Sequence, residues 1–284
     1  MFIANFYCKH LLHILIYLIV FTYAFIANPT NADIPALVIP HAAFHDITTA
    51  NYYPEELLKL ALQKTEASDG RVDVKFYPLS TGRNRSRVIL MNKLGLDVLW
   101  SSSTHQREQQ LLAIKFNLYQ GISEYKILLI RKEDQKKFAK IKTLADLRNF
   151  KAGTGTHWQD TQILSFNNLP FVTSWDYEPM FKMLVAKRFD YMVRSSHEIW
   201  GEINRHPEWS LMAEQTLLLH YNQPLYYFVH KENIALAERI LRGLNLAKAD
   251  GSLDALRDSL PDFKMAVAEI NSKHRTMIEL ANPE

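Results

Sequence analysis

The feature that most constrains this chain is an alternation of short apolar runs and amphipathic segments in its first half. Residues 36–40, 72–76 and 98–100 have the composition of strands, whereas 52–62 and 80–94 space their apolar residues as helices do. Strand, helix, strand, helix and strand in this order predict a parallel sheet with helices packed on its faces. The sequence therefore predicts an α/β fold.

A polar loop follows the third of these strands. Val98-Leu99-Trp100 gives way to Ser101-Ser102-Ser103-Thr104, and a helical segment carrying Arg107 begins directly afterwards. Ligands of open α/β sheets bind at the carboxyl ends of strands, and hydroxyls, helix-start amides and a guanidinium together suit a negatively charged group. An ordinary capped helix with Arg107 on its surface fits the same residues, and the local pattern does not decide between the two.

Residues 1–32 have the pattern of a secretory signal peptide. Lys9 and His10 precede an apolar tract over 11–27, and a helix-breaking segment then ends in the small residue Ala32. The tract is long for a signal peptide, so an uncleaved membrane anchor is the alternative hypothesis. Cleavage after Ala32 would remove Cys8, the only cysteine, and the exported chain would have no disulfide and no thiolate. We expect a periplasmic location.

A second α/β unit interrupts the first. Residues 125–131 and 224–229 are strongly apolar strands, and shorter strands and helices alternate between them over 141–200. We interpret the two apolar strands as the crossings between two lobes. The predicted organisation is a signal peptide over 1–32, lobe 1 over 33–125 and 225–284, and lobe 2 over 126–224.

Three motifs appear in this order: Thr104-His105-Gln106-Arg107, then Ile141 to Leu147 followed by Gly155-Thr156-His157, then Lys187 to Asp190. With them the chain resembles the bacterial extracellular solute-binding proteins of family 3, the amino-acid-binding class with the type II periplasmic-binding-protein fold. The resemblance implies that Arg107 grips a ligand carboxylate and that amides at Gly155–His157 hold the ligand.

The resemblance also implies an acidic residue that binds the ligand ammonium at the end of the strand after Asp190. Ser195 stands at that position, with Arg194 beside it, and Glu198 lies one turn further on. A buried ammonium without a partner is costly. Arg107 facing Arg194 would instead favour a dianion or a neutral polar solute.

The predicted ligand-binding residues combine the motif positions with Tyr53 and Trp158 as aromatic walls of the cleft. The set is Tyr53, Ser102, Thr104, Arg107, Gly155, Thr156, His157, Trp158, Arg194 and Ser195. We expect no cofactor and no metal, because His197-Glu198 lacks the second histidine of a zinc motif at Gly201. The formal net charge of +3 is not gathered into a basic cluster, which argues against nucleic acid as a partner.

The sequence thus predicts an exported, monomeric solute-binding protein rather than an enzyme, since no Gly-x-Ser-x-Gly nucleophile motif occurs. It would capture a small polar or anionic solute, amino-acid-like or a carboxylate, between its lobes and serve the membrane subunits of an ABC transporter. One alternative is a membrane-anchored sensor module of the same fold. Another is an enzyme resembling cyclohexadienyl dehydratase, with Glu198 as its general acid.

Overall fold

The computed structural model describes residues 34–41, 52–80 and 82–283. The predicted signal peptide, and with it the choice between cleavage and anchoring, lies outside these residues. No helix in the described part of the chain is both long enough and apolar enough to span a bilayer. Ala36–Glu284 form one compact unit, which contains all the elements named below.

Most of the strands are short. They are β1 (Ala36–His41), β2 (Asp73–Ser80), β3 (Val98–Ser102), β4 (Leu112–Ile114), β5 (Tyr125–Arg131), β6 (Ala152–Gly155), β7 (Phe171–Ser174), β8 (Tyr191–Ser195), β9 (Leu211–Ala213), β10 (Leu217–His220), β11 (Leu225–Val229) and β12 (Thr276–Glu279).

The helices are interspersed with the strands, and three follow one another near the carboxyl end. They are α1 (Tyr52–Lys64), α2 (Glu66–Asp69), α3 (Arg83–Met91), α4 (His105–Gln110), α5 (Gln135–Phe138), α6 (Leu144–Leu147), α7 (Gln159–Phe166), α8 (Tyr177–Val185), α9 (Ile199–Arg205), α10 (Ile234–Ala249), α11 (Ser252–Ser259) and α12 (Pro261–Ile270).

The first lobe contains two small sheets. Strand β1 pairs in parallel with β2, and β11 lies between β3 and β4 and pairs antiparallel with both. Asp97 joins the sheets, since its Oδ2 accepts the Val38 N–H at 2.7 Å while its own N–H donates to the Val38 carbonyl at 2.9 Å. The parallel prediction is therefore right for β1 and β2, but β3 pairs with the later strand β11, which the local pattern does not show.

The second lobe is organised around β5. Its seven-stranded sheet has the order β12-β10-β5-β8-β6-β7, and β9 also pairs with β5. Every residue of β5 after Tyr125 is buried, and separate apolar cores cover the two faces of the sheet. An apolar strand of this kind belongs at the centre of a sheet that is covered on both sides.

The chain passes between the lobes in short linkers, because β5 and β11 each lie wholly within one sheet. The passages come between β4 and β5, between β10 and β11, and between α12 and β12. Strand β12 pairs with β10 of the second lobe, although residues 225–284 were assigned to lobe 1. The remaining lobe boundaries stay a prediction.

Helices α1 and α10 pack face to face in the first lobe, with Leu57, Leu58, Ile240 and Leu244 fully buried. Gly243 permits this approach, because a Cβ atom built there would lie 2.0 Å from the carbonyl oxygen of Ala61. A backbone atom cannot swing away as a flexible side chain can. The contact therefore requires glycine.

We expect Gly243→Ala to lower the free energy of unfolding by about 2–3 kcal/mol, because overpacking forces the two helices apart. Urea unfolding measures the change. Gly82→Ala is the matched control, since a Cβ atom there meets nothing within 4 Å and φ is −65°. Equal stabilities for the two variants would show that the close helix contact is dispensable.

Candidate functional site

The carboxyl end of β3 has the predicted groups in place. Thr104 caps α4, where its Oγ1 accepts the Arg107 N–H at 3.1 Å. The half-buried Arg107 guanidinium folds back and donates to the carbonyl of Ser102 at the end of the same strand. Hydroxyls and a guanidinium thus share one strand end, and the role of Ser102, Thr104 and Arg107 toward a ligand stays a prediction.

The turn between β6 and α7 engages one amide of the predicted clamp within the protein. The Thr156 N–H donates to the Ser174 carbonyl at 2.9 Å, and the Trp158 N–H donates to the Gly155 carbonyl at 2.9 Å. The Thr156 amide is therefore engaged within the protein, and the role of Gly155, Thr156 and His157 toward a ligand stays a prediction. The buried Thr156 hydroxyl has no hydrogen-bond partner among the residues described. His157 is exposed and lies edge-on to Trp175.

Arg194 is buried in an ion network that corrects the prediction of two facing arginines. Its Nε donates to Glu202 at 2.7 Å, and its Nη2 donates to Glu198 at 3.1 Å. Trp158 and Tyr177 flank the guanidinium, with ring centres 4.8 Å and 5.7 Å from its carbon. Burial opposes the charge, but Glu202 and Glu198 outweigh it and raise the pKa of Arg194. Two carboxylates therefore already compensate the charge of Arg194, and its guanidinium is not available as an anion receptor.

Lys126 is a second buried cation, and the sequence analysis missed it. Its Nζ donates to Ser195 Oγ at 3.0 Å and to Gln223 Oε1 at 2.9 Å, and the residue is 3% exposed. Asp160 Oδ1 lies 4.0 Å away, and the same oxygen accepts a hydrogen bond from the Tyr221 hydroxyl. Burial lowers the pKa of Lys126, whereas Asp160 acts in the opposite direction. A lysine directly before the apolar run Ile127–Ile130 was the signal available in the sequence.

These five residues, Lys126, Asp160, Ser195, Tyr221 and Gln223, form what we call the junction cluster. They come from the start of β5, the first turn of α7, the end of β8 and the linker before β11. Next to Asp160, the Nε2 of Gln159 donates to the carbonyl of Ser103 at 3.4 Å. The junction cluster therefore lies beside the point where the second lobe meets the end of β3.

Tyr53 is a core residue, which corrects its prediction as a wall of the cleft. It is 1% exposed, its hydroxyl donates to the Leu118 carbonyl at 3.1 Å, and its ring packs against Tyr119 and Phe263. The residue lies on the buried face of α1, where an aromatic side chain adds apolar area to the first-lobe core. Trp158, the other predicted wall, packs on Gly155, where a Cβ atom would lie 2.4 Å from its indole nitrogen.

His197 connects the lobes on their apolar side. It follows β8, yet its ring lies 4.5 Å from Tyr119 and 5.0 Å from Phe263, both members of the first-lobe core. Burial lowers the pKa of His197 to about 4. Across the described ranges, no group of three or more histidine, cysteine, aspartate or glutamate side chains could hold a metal ion.

No family model and no curated protein matches the chain, but solved structures do. An ancestral arginine-binding protein bound to glutamine is 18% identical with a TM-score of 0.62, over 80% of this chain and 98% of that one. A histidine kinase sensor domain similar to periplasmic binding proteins is 16% identical with a TM-score of 0.58, over 81% and 96%. The substrate-binding protein of an amino-acid ABC transporter is 12% identical with a TM-score of 0.58, over 80% and 99%.

At these identities the likeness shows the fold. The chain has the two-lobed α/β fold of the type II periplasmic binding proteins, and the prediction of that fold is confirmed.

We expect His197 to make the protein less stable in acid. A buried histidine with a pKa of about 4 binds its proton later than in the unfolded chain, where the pKa is 6.5, so the unfolded state gains protons first as the pH falls. The free energy of unfolding should therefore drop by about 3 kcal/mol from this group alone between about pH 7 and about pH 4.

Urea unfolding across this pH range should show a shallower loss for His197→Gln than for the parent protein. His157→Gln is the control, because His157 is exposed and should leave the slope unchanged. Parallel slopes for the parent and His197→Gln would contradict the assignment.

Proposed function

We propose that this protein is an exported solute-binding protein that captures a small polar or anionic solute between its two lobes. The observation that carries the proposal is the meeting of polar groups from both lobes at one place. The end of β3 brings Ser102, Thr104 and Arg107, and the second lobe brings the junction cluster beside the Ser103–Gln159 contact. Clefts between two such units are common sites for small ligands.

The charges of the site favour a solute with little net charge. Arg194 with Glu198 and Glu202 carries one net negative charge, Lys126 and Asp160 balance each other, and Arg107 adds one positive charge. A dianion would meet three carboxylates there. The expectation of a dianionic solute depended on Arg107 facing Arg194, and we therefore do not propose it. The ancestral protein of the same fold holds glutamine, a small polar molecule.

The consequence of solute capture depends on which partner protein recognises the closed form. Closure of the lobes on a solute turns occupancy into a surface that a partner recognises. We propose the membrane subunits of an ABC transporter as that partner, a monomeric state and a periplasmic location, supported by the substrate-binding protein that shares the fold. A membrane-anchored sensor is the second candidate, supported by the similar kinase sensor domain. An exported chain that begins at Asp33 favours the free receptor, and mass spectrometry of the exported protein decides.

A purely binding role agrees with the state of Glu198, the one candidate general acid. Its carboxylate is engaged by the Arg194 guanidinium at 3.1 Å, an arrangement that a structural ion pair explains without chemistry. We therefore propose capture without turnover. Product formation from a cyclohexadienyl acid that disappears in Glu198→Gln would overturn this part of the proposal.

We expect one or more small metabolites to raise the melting temperature in a thermal-shift screen. A solute at a hundred times its Kd stabilises the native state by about 2.7 kcal/mol, because it binds only the folded protein. Titration calorimetry with that solute should show at least tenfold weaker binding for Arg107→Ala. Arg85→Ala on the exposed face of α3 is the matched control and should bind as the parent does.

A screen in which no polar or anionic metabolite shifts the melting temperature would contradict the proposed function. Unchanged affinity in a folded Arg107→Ala protein would remove Arg107 from the site and leave the function itself standing.

A further inference from the structure

Two buried cations stand at the two ends of the same strand, and they are satisfied very differently. Arg131, at the end of β5, donates to Asp134 at 2.6 Å and to the carbonyls of Leu184 and Phe189 at 2.6 Å and 2.8 Å. That is a complete structural arrangement for a buried guanidinium, with a carboxylate in direct contact. Lys126, at the start of the strand, has no carboxylate of the described residues within hydrogen-bond distance.

Within 34–41, 52–80 and 82–283, Lys126 has two hydrogen-bond acceptors, which leaves its third N–H without a strong acceptor. An ammonium has three donors, and the two hydrogen bonds of Lys126 go to neutral oxygens of Ser195 and Gln223. The nearest carboxylate oxygen, on Asp160, lies 4.0 Å away, and the Tyr221 ring centre lies 5.1 Å away. A distance of 4.0 Å is too long for a hydrogen bond. A buried ammonium with a donor to spare suits an oxygen acceptor supplied from outside the chain.

The surroundings of this donor disfavour a second positive charge. Lys126 is buried, so a solute ammonium placed at its spare donor would have the Lys126 ammonium as its nearest charge, with little water to screen it. The surroundings also disfavour two added negative charges. Asp160, Glu198 and Glu202 already outnumber the two cations Lys126 and Arg194.

This inference rests on the proposed function. We propose that Lys126 is the positively charged group that binds the solute in this site. The solute presents an oxygen acceptor to the Lys126 ammonium, carries no ammonium of its own at that position and has at most one negative charge. This chemistry describes 2-hydroxy and 2-oxo monocarboxylic acids and neutral polar carbonyl compounds, and it disfavours α-amino acids, whose ammonium would lie beside Lys126 when their carboxylate accepts its N–H. The protein then differs in specificity from the amino-acid binders whose fold it shares.

Matched pairs of solutes that differ only at the 2-position test this inference by titration calorimetry on the purified protein. The pairs are L-alanine with L-lactate and pyruvate, and L-phenylalanine with phenylpyruvate, and 2-oxoglutarate is the dianion control. We expect a monocarboxylate to bind at least tenfold more tightly than its amino-acid partner and than the dianion. Lys126→Met should lose at least tenfold in affinity for that monocarboxylate, whereas Lys231→Met, at an exposed lysine, should bind as the parent does.

Gln223→Glu provides a second variant that keeps the shape of the junction cluster. It places a carboxylate against Lys126 where the amide oxygen now accepts at 2.9 Å. The added negative charge should weaken monocarboxylate binding at least tenfold and narrow the preference over the amino acid. Circular dichroism verifies that both variants fold.

The outcomes separate the inference from the proposed function. Tighter binding of the amino acids by the parent protein would overturn the role of Lys126 while leaving solute capture intact. Equal monocarboxylate affinity in the parent, Lys126→Met and Gln223→Glu would also overturn it. No heat from these compounds or from a wider library of polar metabolites would overturn both.

Discussion

The burial of the Lys126 charge at the start of β5 is the constraint on which the junction between the lobes depends. Removing an ammonium from water is costly unless polar groups replace its hydration. The replacements come from Ser195 at the end of β8 and Gln223 in the linker before β11. One side chain thus ties together the central strand, its neighbour and a chain passage. Because β5 also pairs with β9 and β10, any shift of Lys126 would disturb the centre of the larger sheet.

Arg194 and Lys126 are both buried cations near this junction, but their charges are compensated in different ways. Arg194 is enclosed by Glu198, Glu202 and two aromatic rings, and such a network fixes the start of α9 against the end of β8. A buried ion pair of this kind contributes little net stability but becomes very costly when one partner is removed. Lys126, with neutral partners in direct contact, lacks that closure. Arg194, whose charge is compensated by carboxylates in direct contact, therefore belongs to the structural framework. Lys126, which lacks such a contact, belongs to the candidate binding site.

The local sequence patterns predicted the features that depend on residues close together in the chain. The apolar run at 125–131 became the central strand, Thr104 became a helix cap, and Thr143 with Asp146 formed the capping box that the motif at 141–147 suggests. Pairings between distant segments were not predictable in this way. Strand β12 joins β10 across 59 residues, Glu202 reaches Arg194 only because α9 folds back, and Tyr53 faces inward because α1 packs on Phe263. Lys126 was visible as an odd residue in a strand, but its partners lie 69 and 97 residues away.

The lobes touch through an aromatic contact on one side and a polar contact on the other. In the proposed function, the strength of each contact determines which side of the interface can open. On one side, the His197 ring is buried between Tyr119 and Phe263, close to the linkers before β5 and after β8. Separating those rings would expose apolar surface to water. On the other side, Gln159 and Ser103 share a single long hydrogen bond of 3.4 Å, which water replaces at little cost. In the proposed function, motion about the aromatic contact would therefore open the polar side first. That side contains the end of β3 and the junction cluster, the groups to which the proposed solute would bind.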